Sequence, residues 1–191
     1  MMEHRIANAR ALGFASFAIG VWMYCMVLAG WFPQSVLVSP TMGNVATAVT
    51  LGLLIAALAS FLRTDHWAAF FFMFWAAVWW GVRAGNGPDQ AHMAYAGWFF
   101  AAIAVVSVIL FFAALRDLET LPVRLVSVGM ALVFISWALG AWGLGFFTGL
   151  AGYIGLVTAV SAFWAAAAEA LGGEVGKGGA RSTSTTTATG A

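Results

Sequence analysis

The sequence has few charged residues and almost no cysteine. Only 8% of its 191 residues are Asp, Glu, Lys or Arg, against about 25% in a typical soluble domain. So few charges could not cover the surface of a soluble domain of this size. The net charge of +1, spread over scattered basic residues, excludes a nucleic-acid-binding surface. The single cysteine, Cys25, excludes a disulfide or a cysteine metal cluster within one chain.

Residues that carry catalysis or proton transfer are also missing. No Asp, Glu or His lies in the middle of a long apolar run, where proton pumps and ion-coupled carriers keep their relay residues. The three histidines fall at the ends of runs or in loops on different predicted sides. A Ser-His-Asp set, an HExxH motif and a phosphate-binding loop are absent from the sequence. The sequence therefore predicts a protein that is not an enzyme and holds no cofactor or metal.

Long apolar runs dominate what is present. Hydrophobic residues make up 63% of the chain, and its mean hydropathy is +0.94. The first run follows a short charged leader, as in a secretory signal peptide, but five more runs of similar length follow it. Each has roughly the length that a helix needs to cross a bilayer. We predict an all-α integral membrane protein with six transmembrane helices in a bundle, covering about 11–29, 40–62, 67–82, 94–115, 123–141 and 150–171.

Local signals set the boundaries and the orientation of these spans. Ser39 followed by Pro40 predicts a helix start, because serine caps helices and proline suits their first position. Residues 1–10 form a cytoplasmic leader, residues 11–171 the membrane domain, and residues 172–191 a disordered tail rich in Gly, Ser and Thr. With the N-terminus inside, seven of the eight basic residues are cytoplasmic and only Arg83 is outside. This bias predicts a multi-pass protein of the cell membrane with both termini in the cytoplasm.

Three motifs resemble one family, the acetate uptake transporters (succinate–acetate permease, YaaH-type). The stretch Asn8 to Phe14 is similar to the family signature Asn-Pro-Ala-Pro-Leu-Gly-Leu, of which Asn8, Leu12 and Gly13 are kept. Residues 151–156, Ala-Gly-Tyr-Ile-Gly-Leu, resemble the family's Ala-Gly-Trp-Ile-Gly-Leu, which is also followed by a Ser-Ala pair and a late glutamate. The corresponding residues here are Gly152, Gly155, Ser161 and Glu169. A weaker match places Trp75 to Trp79 on Tyr-Gly-Ser-Phe-Trp.

The resemblance implies a homohexamer of six-helix protomers, each with a pore for acetate or a similar short carboxylate. It places the narrowest point of that pore at Phe17, Trp75 and Met130 in helices one, three and five. At 1.5 Å per residue, these three residues lie about 9 to 12 Å into their helices from one membrane side. Three large apolar side chains at one depth could form a constriction that excludes water. Each could instead be ordinary packing or lipid-facing bulk.

The remaining site predictions concern the cytoplasmic mouth. Asn8 could donate a hydrogen bond to the solute, and Arg10 could raise the local anion concentration or simply anchor the topology. We interpret Glu169 as a structural residue that pairs with Arg5 or Arg10. The small residues of the sixth span allow close helix approach, which packing alone explains.

These features predict a channel or transporter for a short monocarboxylate. Flux would be passive or linked to protons through the undissociated acid, because no side-chain relay is present. Two alternatives stay open. One is a channel for a small neutral solute such as urea or a short amide. The other is a non-conducting structural membrane subunit.

Overall fold

A computed structural model describes residues 8–84 and 93–172 of the chain. Within these residues the regular structure consists of six α-helices and one 3-10 helix, Gln34–Val38. The α-helices are α1 Ala9–Leu28, α2 Pro40–Leu62, α3 His66–Ala84, α4 Met93–Arg116, α5 Leu121–Ala141 and α6 Phe146–Ala170. The predictions for residues 1–7, for the loop after residue 84 and for the tail after residue 172 lie outside the described residues.

Five helices are long and apolar enough to cross a membrane: α1, α2, α4 from Tyr95 onward, α5 and α6. The chain is therefore a multi-pass membrane protein. Among the described residues, helix α3 is outside this set, although its position between α2 and α4 matches the predicted third span. A sixth crossing and the cytoplasmic position of both termini stay predictions.

Local sequence signals explain most helix boundaries. The hydroxyl of Ser39 accepts a hydrogen bond from the Met42 amide at 3.3 Å, and proline occupies the start of α2, which confirms the predicted cap. Helix α1 begins two residues before the predicted span because Asn8 caps it and accepts from the Arg10 amide at 3.2 Å. Helix α6 begins four residues early, at Phe146. The predicted glycine-rich turn is shorter than expected because only Gly143, with φ +104°, adopts a left-handed conformation there.

The helices pack as a ring in chain order. Helix α1 packs against α2 and α6, α2 against α3, and α5 against α4 and α6, while α3 and α4 touch sparsely. Helices α1, α3 and α5 begin where α2, α4 and α6 end. We call the side where α1 begins the Arg10 end and the opposite side the Trp142 end. Fully buried aromatic side chains from α1 and α3 lie between the helices, so the core is interior to the ring.

The outer faces of the ring are apolar. On α2, Leu51, Ile55 and Leu58 recur at helical spacing, and each is more than half exposed. Similar rows on the other helices include Val105, Ile109 and Phe112 on α4 and Val157 and Val160 on α6. Such faces suit lipid or a neighbouring subunit, since neither requires a charged surface.

Candidate solute pathway

The three residues predicted to form the narrowest point lie in the interior of the ring. Phe17 of α1, Trp75 of α3 and Met130 of α5 expose 0%, 1% and 4% of their surface. The rings of Phe17 and Trp75 meet edge to face with centroids 5.2 Å apart. The ring of Trp75 also stacks on Phe134, one turn beyond Met130, at 5.7 Å. Helices α1, α3 and α5 therefore meet around Trp75.

A small cavity adjoins this meeting point. Its volume is ≈ 40 Å³, enough for roughly three water-sized groups or a solute of a few heavy atoms. Trp75 and Met130 both belong to its lining, so these two predicted residues border one space. The other lining residues come from the same three helices: Val21, Tyr24, Cys25, Leu28, Val78, Trp79, Val133, Phe134 and Trp137.

Aromatic side chains fill the ring between Trp75 and the Arg10 end. We call the set Phe14, Phe17, Trp67, Phe71 and Phe72 the aromatic column. Trp67 stacks on Phe71 with centroids 4.9 Å apart, Phe71 meets Phe17 at 5.6 Å, and Phe14 meets Phe72 at 5.2 Å. Four of the five are fully buried and Trp67 exposes 7%. The interior is therefore closed toward the Arg10 end in this conformation.

One arginine connects three separate elements at that end. We call Asn8, Arg10, Asp65, Glu119 and Glu169 the Arg10 cluster. Arg10 of α1 donates to Asp65, in the turn before α3, at 2.5 and 2.9 Å, and to Glu119, in the turn before α5, at 2.8 Å twice. Its Nη1 also lies 3.5 Å from Glu169 Oε1 near the end of α6. The Arg10 guanidinium lies 5.7 Å above the ring of Trp67, directly over the aromatic column.

Charges within the Arg10 cluster stabilise one another. Burial raises the pKa of the Asp65 carboxyl, but the hydrogen bonds and charge of Arg10 outweigh burial and hold that pKa below its ordinary value. Asp65 also accepts a hydrogen bond from the Ala68 amide at 3.2 Å, which caps α3. One guanidinium and three carboxylates give the cluster a formal charge of −2.

The comparisons with known proteins bear on the fold. No family model and no curated protein matches the sequence. Among solved structures, the chain is similar to the one titled "Structure of the bacterial acetate channel SatP", with a TM-score of 0.78 and 18% sequence identity. The match covers 87% of this chain and 93% of that one. The chain has the SatP fold. The resemblance predicted from the motifs is thus confirmed at the level of the fold.

Within the SatP fold, the two residues predicted at the mouth have protein partners. The Asn8 amide nitrogen donates to the backbone oxygen and to Oε2 of Glu169, at 2.6 and 3.1 Å. Arg10 is bound by carboxylates, so its charge is neutralised within the protein rather than offered to a passing anion. The expected pairing of Arg10 with Glu169 is present, although Asp65 and Glu119 are its closer partners.

The residues of the sequence motifs lie mainly at helix contacts. Gly152 of α6 lies against the backbone of Leu28 and Ala29, where any side chain would overlap. A side chain at Gly155 would meet Cys25, and one at Gly13 would meet the ring of Phe72. The remaining two motif residues are Ser161, whose hydroxyl donates to the Val157 carbonyl at 3.2 Å, and Leu12, which is 44% exposed.

The sequence does not indicate several residues of the Arg10 cluster and of the cavity. The sequence places Asp65 and Glu119 only in polar turns. Each is an acidic residue just before a helix start, which is the one signal that could indicate a shared partner. Phe134, Trp137 and Tyr24 line the cavity at helical spacing from predicted residues. Their types are common throughout this sequence, so composition could not single them out.

Proposed function

We propose that this chain belongs to the acetate uptake transporter family and forms a membrane channel or transporter for acetate or a similar short monocarboxylate. The observation that carries the proposal is the small apolar cavity bordered by Trp75 and Met130 inside the SatP fold, with Phe17 packed against Trp75. The similar solved structure is that of a bacterial acetate channel, and this chain would share that activity.

The size and chemistry of the cavity fit such a solute. A volume of ≈ 40 Å³ fits a solute of a few heavy atoms. A bare carboxylate is far more costly to desolvate among apolar side chains than the undissociated acid. The proton therefore travels on the solute, and flux follows the concentration of the undissociated acid.

The pathway must open to conduct. The aromatic column and the Arg10 cluster close the interior at the Arg10 end, so solute passage requires these side chains to move. This conformation then represents a closed state of the channel. A permanently closed interior would instead suit a non-conducting membrane subunit.

A direct test is uptake of labelled acetate into proteoliposomes at two pH values, with Phe17→Ala beside the wild type. Wild-type uptake should increase as pH falls, and Phe17→Ala should admit longer acids because it widens the narrowest point. Phe112→Ala, at a residue that is 62% exposed on α4, serves as the control. Wild-type uptake that does not exceed that of empty liposomes would exclude acetate transport and leave the neutral-solute channel and the non-conducting subunit.

The uncharged cavity also suits a small neutral solute, which is the second candidate. Osmotic swelling of the same proteoliposomes in urea or acetamide separates the two. Swelling with urea and no acetate uptake would assign the chain to neutral solutes.

The proposal includes assembly and orientation. The apolar outer faces of α2, α4 and α6 can bury one another in a homohexamer or face lipid. Native mass spectrometry from detergent gives the subunit number. A single cysteine placed near each terminus of the protein and labelled in intact cells tests whether both termini are cytoplasmic.

A further inference from the structure

A groove runs along the outer face of the bundle between α4 and α5. It extends from Ala101 to Ile109 on α4 and from Ile135 to Trp142 on α5, and we call it the α4/α5 groove. Its volume is ≈ 350 Å³, against ≈ 40 Å³ for the interior cavity. Among the described residues that line it, none carries a charge. Val105 and Ile109 at its rim are 60% and 58% exposed, so the groove faces outward and suits a long apolar group.

Two arginines continue the walls of this groove toward the Arg10 end. Arg116 follows Ile109 by seven residues in α4, and Arg124 precedes Ile135 by eleven residues in α5. Seven residues are close to two helical turns and eleven are close to three. Each arginine therefore lies on the helix face that lines the groove. Residues 117–120 connect the two helices, so Arg116 and Arg124 lie at the same end.

Neither arginine has a counter-charge in the part of the chain that the structure describes. The ion pairs there belong to Arg10, which binds the three carboxylates of the Arg10 cluster. Arg116 is exposed, whereas Arg124 is half-buried and its Nε makes no hydrogen bond. The α4/α5 groove thus joins an apolar surface to two cations that lack a protein partner, which is the arrangement of a basic lipid-headgroup site between transmembrane helices.

The charges favour a lipid over a second copy of the chain. A neighbouring copy that covered the groove would have to bring carboxylates to both arginines. Of the four acidic side chains among the described residues, three bind Arg10. The fourth is Asp117, which is exposed and directly follows Arg116. A phospholipid supplies both complements, because its acyl chain is apolar and its phosphate matches the planar fork of a guanidinium.

We propose that the α4/α5 groove binds an anionic phospholipid, with the phosphate on Arg116 and Arg124 and one acyl chain along the groove. A headgroup with a net negative charge is favoured because two arginines stand beside one unpaired carboxylate, that of Asp117. The lengths agree, since the groove begins about 10 Å from Arg116, at Ile109, and ends about 22 Å from it, at Ala101. Half of a bilayer with its headgroups is about 20 Å thick. The site lies outside the ring, so it is independent of the solute pathway and of the proposed function.

Native mass spectrometry of the full-length protein in detergent counts bound lipids directly. The probes are phosphatidylglycerol and phosphatidylcholine, each with two oleoyl chains, and the wild type should retain phosphatidylglycerol more strongly. Arg116→Gln combined with Arg124→Gln should weaken this retention by roughly 25-fold, at about fivefold for each arginine near the membrane surface. Arg63→Gln, at an exposed arginine that caps α2 at the same end of the bundle, should leave it unchanged.

A second pair of variants tests the acyl chain. Val105→Trp fills the groove from its rim, and Leu51→Trp adds a tryptophan on the outer face of α2 at a similar exposure, 55%. Val105→Trp should weaken binding of dioleoyl phosphatidylglycerol. It should not weaken binding of dihexanoyl phosphatidylglycerol, whose short chains end before Ile109. Leu51→Trp should change neither.

Three results would overturn the lipid site. One is equal retention of the two dioleoyl lipids by the wild type, or unchanged retention in the double arginine variant. Another is a lower Tm of the double arginine variant in detergent without added lipid, because the arginines would then have a protein partner. The third is loss of an oligomer in Val105→Trp while lipid binding persists, which would make the groove an interface between copies. None of these measurements involves uptake, so each outcome leaves the proposed function untouched.

Discussion

Arg10 holds Glu119 through two parallel hydrogen bonds of 2.8 Å, from Nη1 to Oε2 and from Nη2 to Oε1. The two residues are 109 positions apart in the sequence. The same guanidinium binds Asp65, so a single side chain of α1 fixes the turns before α3 and before α5. Guanidinium is suited to this arrangement because its planar fork can pair with two carboxylates at once.

Replacement of Arg10 should strongly destabilise the bundle. Arg10→Met keeps an apolar stem but leaves three carboxylates facing one another with no cation, two of which expose less than a fifth of their side chains. We expect a loss of about 3 kcal/mol, within the range for a broken buried ion pair. The apparent Tm in detergent should fall by roughly 6–12 °C. Arg10→Lys should recover only part of this loss, because an ammonium cannot bind two carboxylates side by side.

A matched control is Arg116→Met, in the last turn of α4, which is exposed and outside the Arg10 cluster. Its apparent Tm should stay close to that of the wild type. Equal effects of the two substitutions would show that the Arg10 cluster adds nothing beyond the loss of one surface charge.

The Arg10 cluster should weaken in acid. The pKa of Asp65 is lowered in the folded state, because the hydrogen bonds and charge of Arg10 outweigh the opposing effect of burial. Its contribution to stability is therefore fully present above the ordinary carboxyl pKa and is lost as pH falls through the lowered folded value. The Tm difference between wild type and Asp65→Asn should be constant near neutral pH and shrink in acid.

Thermal unfolding of both proteins across this pH range measures the effect. Asp117→Asn, in the turn after α4, is the control. Its Tm difference from wild type should not show the same dependence on pH. A Tm difference between wild type and Asp65→Asn that grows in acid would contradict a lowered pKa for the Asp65 carboxyl.

Helix α6 approaches α1 so closely at Gly152 that no side chain fits. An added Cβ would overlap the backbone of Leu28 and Ala29, which cannot move aside as a flexible side chain can. Gly152→Ala should therefore push the helices apart and lower the apparent Tm, by roughly the 1–3 kcal/mol of an overpacked core. Gly149→Ala, one turn earlier with nothing within 4 Å of the added carbon, should be neutral or stabilising. Size-exclusion profiles and melting curves compare the two variants. Equal Tm values for Gly152→Ala and Gly149→Ala would exclude a close contact of α6 with Leu28 and Ala29.

The fold followed from features that are local in the sequence. Runs of about twenty apolar residues indicate the helices, and Ser39 with Pro40 indicates the start of α2, because both signals depend on neighbouring residues alone. The early start of α6 was missed, since glycines such as Gly149 normally indicate a turn but are tolerated inside apolar helices. The Arg10 cluster could not be predicted, because Asp65, Glu119 and Glu169 come from three distant segments and nothing local states which turn lies beside which helix.

The proximity of the residues predicted at the narrow point could be inferred from the sequence, whereas the narrow point itself stays a prediction. In helices that begin at the same membrane side, residues at an equal distance from the helix start lie at an equal depth. Helix geometry and the family motifs together therefore place Phe17, Trp75 and Met130 at one level. What helix geometry could not give is the side-chain direction that puts Phe134 against Trp75.

Met130 should set the upper size of the solute, because it borders the cavity and is 4% exposed. Met130→Ala adds room beside Trp75, so acids with longer apolar tails should enter and gain contacts there. Each added methylene that becomes buried is worth about 0.8 kcal/mol, or roughly a fourfold gain in uptake relative to acetate. Competition of propionate and butyrate with labelled acetate in proteoliposomes measures this ratio. Met73→Ala, at a methionine of α3 that is 45% exposed, provides the control. An unchanged ratio in Met130→Ala would mean that the solute does not pass through this cavity, even if acetate still crosses the membrane.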